Sequence, residues 1–256
     1  MPKEEKKDIE ELKAEHTPSA IYQRLRQGTQ HSYLRDFIYG AIDGVVTTFA
    51  VVSGVAGANL SPKIVIILGI ANLLGDGFSM AASNFLGTRA EEQLRQQAKK
   101  DEAAHIQKIP EGEREEIRQI FSAKGFKGEN LERAVKIITS DPDLWVDTML
   151  KEELGMTLKG PSAVKAALST FTAFVFIGSF PLLAFIYQWI FPQTQFNPFV
   201  VSTIMTGLAF VGVGALKAQF VEHRWYLSVF ETVLVGGCAA LLAYTVGILL
   251  SGIIKQ

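Results

Sequence analysis

Two aspartates lie inside long apolar runs. Asp43 sits in "DFIYGAIDGVVTTFAVVSGVAG", residues 36–57, and Asp76 in "ILGIANLLGDGFSMAASNFLGTRAEE", residues 67–92. A charge held at mid-bilayer costs roughly 2.5–3.5 kcal/mol on insertion scales, so such a carboxylate marks a functional site by default. Asp36 precedes Asp43 by seven residues, two helical turns. Asn72, Asp76, Met80 and Asn84 follow one another at steps of four, which puts a polar and thioether stripe down one helical face. Carboxylates joined by a thioether suit a path for a partly dehydrated cation, and the sulfur disfavours Mg²⁺ and Ca²⁺. Glu231, the other acidic residue of the apolar runs, lies near the end of its run and reads as structural.

A second group lies in polar sequence. Glu102 and His105 are three apart, Glu113 and Glu116 three apart, and Met149 and Glu153 four apart. Each pair shares a helical face. Three helices offering such pairs can close on a first-row divalent metal; the same spacing also fits solvated faces. Glu102-x-x-His105 is moreover half of the motif used by di-iron carboxylate bundles. The chain has no second Glu-x-x-His, and Glu222 and His223 are adjacent.

These residues need elements to hold them. Of 25 Lys and Arg, 21 fall in residues 1–36 and 89–165, and so do 22 of 26 Asp and Glu. The remainder forms five apolar runs, 37–59, 64–88, 163–191, 199–220 and 226–254, each long enough for the roughly 20 residues of a membrane span. The first run follows more than thirty residues of charged sequence and is no cleavable signal peptide. A single cysteine, Cys238, excludes a disulfide framework, and a net charge of −1 gives nucleic acid no footing. The expected class is an all-α polytopic membrane protein with five spans. Its segments are an N-terminal stretch 1–36, spans one and two in 37–88, a helical domain 89–162 and spans three to five in 163–256. Lys and Arg number seven in residues 1–36 and fourteen in 89–165, against none in 192–198. The positive-inside rule then puts the N-terminus, the 89–165 insert and the 217–225 link in the cytoplasm, and Gln256 opposite.

Within the insert, span two is expected to run on as one helix until Pro110. A short helix closed by Gly125 follows, then one or two more, broken near Asp141-Pro142 and stopped at Gly155. Pro181 is expected to kink span three. Gly40-x-x-x-Gly44 in span one permits close helix approach.

The segments "RDFIYGAIDGVVTTFAVVSGVAGANLS" and "ILGIANLLGDGFSMAASNFLGTRAEE" resemble the vacuolar iron transporter family, with its yeast calcium-cross-complementer type. The likeness extends along the chain, insert included. It implies a homodimer embedded in lipid, with no prosthetic group. It also implies export of Fe²⁺, often with Mn²⁺, from the cytosol by proton antiport; Co²⁺ and Zn²⁺ are further candidates. The membrane would be vacuolar in a eukaryote and the inner membrane in a prokaryote. By resemblance Asp43 and Met80 line the path, and Glu102, Glu113, Glu116, Met149 and Glu153 collect metal. Two positions depart from the family: His105 stands where relatives carry a glutamate, and Asn72 replaces a glutamate that Asp76, one turn on, can supply. A membrane-anchored metal-binding or di-iron oxidase module is the competing reading, and an assembly protein with a solvated insert is a third. Neither needs Asp43 or Asp76.

Overall fold

The computed structural model describes residues 9–27, 32–221 and 224–254. Every regular element among them is a helix. Two short helices, α1 (Ile9–Glu15) and α2 (Pro18–Gln27), form one compact unit. The second unit, from Tyr33 on, contains α3 (Leu34–Gly57), α4 (Pro62–Lys108), α5 (Pro110–Ala123), α6 (Gly128–Thr139), α7 (Pro142–Glu152), α8 (Ala163–Gly178), α9 (Phe180–Ile190), α10 (Pro198–Val221) and α11 (Trp225–Ile254). Among the described residues, five stretches are long and apolar enough to cross a membrane: α3, the first part of α4, α8 with α9, α10 and α11. Leu, Ile, Phe and Val side chains remain exposed along α4, α8 with α9, α10 and α11, the surface expected of helices that face lipid; α3 is largely covered by the others.

Helix α4 has 47 residues, about 70 Å at 1.5 Å per residue, more than twice the hydrocarbon thickness. It starts at Pro62, where the Ser61 side chain accepts a hydrogen bond from the Lys63 amide. It ends before Pro110, as the sequence predicts, and α5 begins after the single residue Ile109. Gly125 closes α5 with φ +95, a conformation only glycine adopts cheaply. The segment after it resolves into two helices. Asp141 caps the second through the amides of Asp143 and Leu144 at 3.0 and 3.3 Å. Ile117, Val135, Ile138, Trp145 and Met149 form the apolar core of this insert.

In the membrane half, α3 packs chiefly on α8 and α11, α4 on α8, and α10 on α11 and α9. Val52, Val55, Val65, Leu73, Phe174, Leu182 and Phe185 make the central core. Pro181 does more than kink span three: the helix is interrupted at Ser179, and Pro181 sits in the first turn of α9. Glu231 pairs with Lys217 at 3.0 Å, as a structural carboxylate should.

Gly40-x-x-x-Gly44 in span one permits close helix approach, and the structure shows which helices come close. Gly40 and Gly44 lie against the backbone of Thr170 and Phe174 in α8, and Gly57 against Tyr244 in α11. Their close approach is spent within the chain. A Cβ on Gly44 would strike the Phe174 carbonyl, which cannot swing aside. Gly44→Ala should therefore destabilise by about 1–3 kcal/mol, read as a lowered thermal midpoint in detergent. Gly252→Ala, with open space around it, should leave the midpoint unchanged or raised. Equal midpoints for the two variants would contradict the packing.

Candidate metal centre

The insert brings three of its six candidate ligands, Glu102, His105 and Glu113, together, with Glu116 and Glu153 within electrostatic reach. Glu102 and His105 come from the outer part of α4, beyond the apolar stretch, and Glu113 and Glu116 from the first turns of α5. The one-residue turn at Ile109 folds the two pairs onto each other. Glu153 joins from the C-terminal cap of α7. One ligand atom from each of Glu102, His105 and Glu113 lies within 4.8 Å of the others. His105 Nδ1 is 3.7 Å from Glu113 Oε1.

Burial separates Glu102 and Glu113 from a solvated face, while His105, Glu116 and Glu153 are exposed. Glu102 is 6 % exposed and Glu113 3 %. Each has a buried Oε2 with no hydrogen-bond partner, a costly state for a carboxylate. Five cations of the insert pair with other carboxylates: Arg95 with Glu92, Arg114 with Glu111, Arg118 with Glu115 and Glu132, Lys124 with Glu152, and Lys99 with Asp147.

Burial and mutual repulsion together raise the carboxyls of this group. Burial first, then Glu116 and Glu102, pushes the Glu113 carboxyl up to about 7. Burial, then Glu153, raises Glu102; burial, then Glu116, raises Glu153. His105 partly offsets all three. A site of four carboxylates and an imidazole, two of the carboxylates desolvated, favours a divalent cation; oxygen and nitrogen donors suit first-row metals. Met149, the predicted thioether ligand, is fully buried in the insert core with Ile117 and Trp145. Glu222 and His223, adjacent and so unable to make a second Glu-x-x-His, lie outside the described residues.

The membrane half holds a second group. Asp43 is half-buried on α3, and Asp76, exposed on α4, lies within its electrostatic reach. Asn72 donates its side-chain amide to the Asp76 carboxylate, while its own Oδ1 is buried without a partner. Met80 is partly buried and packs against the central core. The Thr47 hydroxyl donates to the Asp43 carbonyl at 2.8 Å. Asp36 is tied in from two turns earlier: Asn84 Nδ2 donates to Asp36 Oδ1 at 2.9 Å and to Thr170 Oγ1 at 2.8 Å. That junction of α3, α4 and α8 was only half legible. Asn84 stands out on the stripe, but Thr170, one hydroxyl in an apolar span, carries no spacing signal.

A sequence model of the VIT family matches residues 34–248. The chain is 31 % identical over 258 residues to a vacuolar iron transporter of Toxoplasma gondii, covering 95 % of this chain and 85 % of that one. It is 29 % identical over 270 residues to a vacuolar iron transporter of Plasmodium falciparum, covering 98 % and 99 %. With vacuolar iron transporter 1 of Arabidopsis thaliana it shares 30 % over 217 residues, 84 % and 85 % of the two chains.

Proposed function

The chain belongs to the VIT family, and from that premise we propose that it exports Fe²⁺, and with it Mn²⁺, from the cytosol in exchange for protons. It is a transporter, and the metal is its cargo. One observation carries the reading: a single helix, α4, bears both sites. Its outer half supplies Glu102 and His105, and its membrane half supplies Asn72, Asp76, Met80 and Asn84. A metal-binding module on an anchor has no use for the second set, so the oxidase reading falls behind.

In this scheme the insert captures metal from dilute solution and the membrane group passes it on. Asp36 stands at the mouth, held by Asn84. Asp43 receives the ion with Met80 and Asp76, and a proton replaces the ion on its return. The name carried by the relatives, vacuolar iron transporter, supports iron as cargo and a vacuolar or equivalent membrane as its place. In cells loaded with radioactive iron, expression should lower the cytosolic pool several-fold. An unchanged pool at equal expression would overturn the proposal.

The sidedness rests on the Lys and Arg asymmetry. A cysteine at Lys124, in a Cys238→Ser background, should resist an impermeant reagent in intact cells and react after permeabilisation. Labelling from outside would invert the topology, and with it the direction of export.

Two copies are proposed to pair, through α4 rather than through span one. Ala71, Gly75, Ser79, Ser83 and Gly87 repeat every four residues on an exposed face of α4, and nothing lies within 4 Å of a Cβ built on Gly75 or Gly87. Small residues at this spacing let spans approach closely. Pairing there would also take the exposed Asp76 out of contact with hydrocarbon, where it is costly. Native mass spectrometry from nanodiscs should show a dimer that Gly75→Leu with Ser79→Leu disperses; a monomer throughout would refute it.

A further inference from the structure

Helix α2 presents a face for which the transport scheme has no use. Its sequence, PSAIYQRLRQ, contains two arginines and no acidic residue. Tyr22 and Leu25 are 63 % and 75 % exposed, and Ile21 is half-buried. At helical spacing Ile21, Leu25 and Tyr22 fall in one arc of about 100°, and the positions of Arg24 and Arg26 flank it on either side. Gln23 and Gln27 lie on the far side of the helix. A narrow apolar arc bordered by arginine is the layout of a helix lying in a lipid interface: the apolar side chains enter the boundary and the guanidinium groups meet phosphate.

Connectivity limits where this helix can be. Gln27 ends α2 and Leu34 begins the first span, seven residues later. An extended chain of that length reaches at most about 25 Å. The face is thus tethered beside a membrane surface whether or not it binds there, and the tether keeps its effective concentration at that surface high. Helix α1, with Glu10, Glu11 and Glu15, has the wrong charge for the same role.

We propose that α2 docks on the membrane surface at which the first span begins, with Ile21, Tyr22 and Leu25 in the headgroup boundary of an anionic phospholipid leaflet and Arg24 and Arg26 on its phosphates. The contact would hold the leading end of α3, the helix that carries Asp36 and Asp43. Lipid is favoured over a protein partner by the flanking arginines and by the short tether.

The full-length protein tests this in nanodiscs made with and without anionic phospholipid. In a Cys238→Ser background, Leu25→Cys, Tyr22→Cys or Gln23→Cys is labelled with an environment-sensitive fluorophore. A lipid-attached nitroxide should quench the label at 25 and at 22 several-fold more than at 23. The difference should grow with anionic lipid and shrink when Arg24→Glu and Arg26→Glu are combined. Equal quenching at 23 and 25 would overturn the proposal. So would quenching that ignores anionic lipid, or a label at 25 shielded from aqueous iodide yet not reached by the lipid nitroxide, since protein would then cover the face.

Discussion

Asp43→Asn lowers metal transport at least about 100-fold and leaves the protein folded. Loss of an outer partner at a metal site already costs roughly 10–100-fold, and here the charged group itself is removed. Asparagine keeps the size and most of the hydrogen bonding of aspartate. It cannot neutralise a cation, and it cannot take up the proton that replaces one. The position is rigid: Gly40 and Gly44 seat this turn of α3 on the backbone of α8, so no nearby carboxylate can move in. Asp76 is the nearest substitute, and Asn72 already engages it. Asp76→Asn should accordingly cost less than Asp43→Asn. Met80→Leu conserves packing against the central core while deleting the sulfur, so it should slow iron and relax the exclusion of Mg²⁺ and Ca²⁺. Flux into vesicles, with size-exclusion profiles as the folding control, reads all three. Wild-type flux through Asp43→Asn would make that carboxylate structural.

Glu102→Gln combined with Glu113→Gln lowers the affinity of the insert for Fe²⁺ or Mn²⁺ about 100-fold, and transport becomes slow at low metal but recovers at high metal. The reason is the pair of buried oxygens that lack partners: a cation relieves them, and two amides do not attract it. The wild-type site should also weaken in acid. With the Glu113 carboxyl pushed up to about 7, protons compete with metal below that pH, and each further unit can cost up to about tenfold. Without metal the sign reverses. The fold holds the Glu113 proton more tightly than the unfolded chain, so this group's contribution to the stability of the metal-free insert is greatest in acid. It falls as pH rises from the ordinary 4.5 to about 7 and then levels. Glu113→Gln should remove that slope and stabilise the metal-free insert at pH 8 by on the order of 2–3 kcal/mol. Calorimetry follows the binding, and hydrogen exchange in α5 and α7 follows the stability. Unchanged binding in the double variant would return these residues to a solvated face.

The architecture was legible because each element has a strong local cause. Spans are long apolar runs, and the insert helices stop where Pro110, Gly125, Pro142 and Gly155 stop them. Helical spacing exposed the pairs Glu102–His105 and Glu113–Glu116, because three residues apart on a helix is already a spatial statement. Their convergence was not legible, since it depends on how α4 and α5 fold about Ile109. Gly40-x-x-x-Gly44 showed that something comes close but not what; α8, some 130 residues later, was out of reach of any local pattern. The same limit hid Thr170 behind Asp36 and Asn84. Nor could spacing separate Met149 as a ligand from Met149 as core, because a thioether serves both and burial decides.

In the proposed cycle one chain couples metal movement to proton movement through the membrane. Proteoliposomes holding a metal-quenched dye and a pH indicator test it directly, with Fe²⁺ outside and the lumen made acidic. Vesicles whose protein presents the insert outward should lose dye signal as metal enters. Lumenal pH should rise in step, and both changes should cease when the gradient is collapsed with an ionophore. Metal entry that leaves lumenal pH untouched and proceeds equally without the gradient would contradict proton exchange. No entry at all, from folded protein that binds metal through its insert, would contradict the transport reading itself.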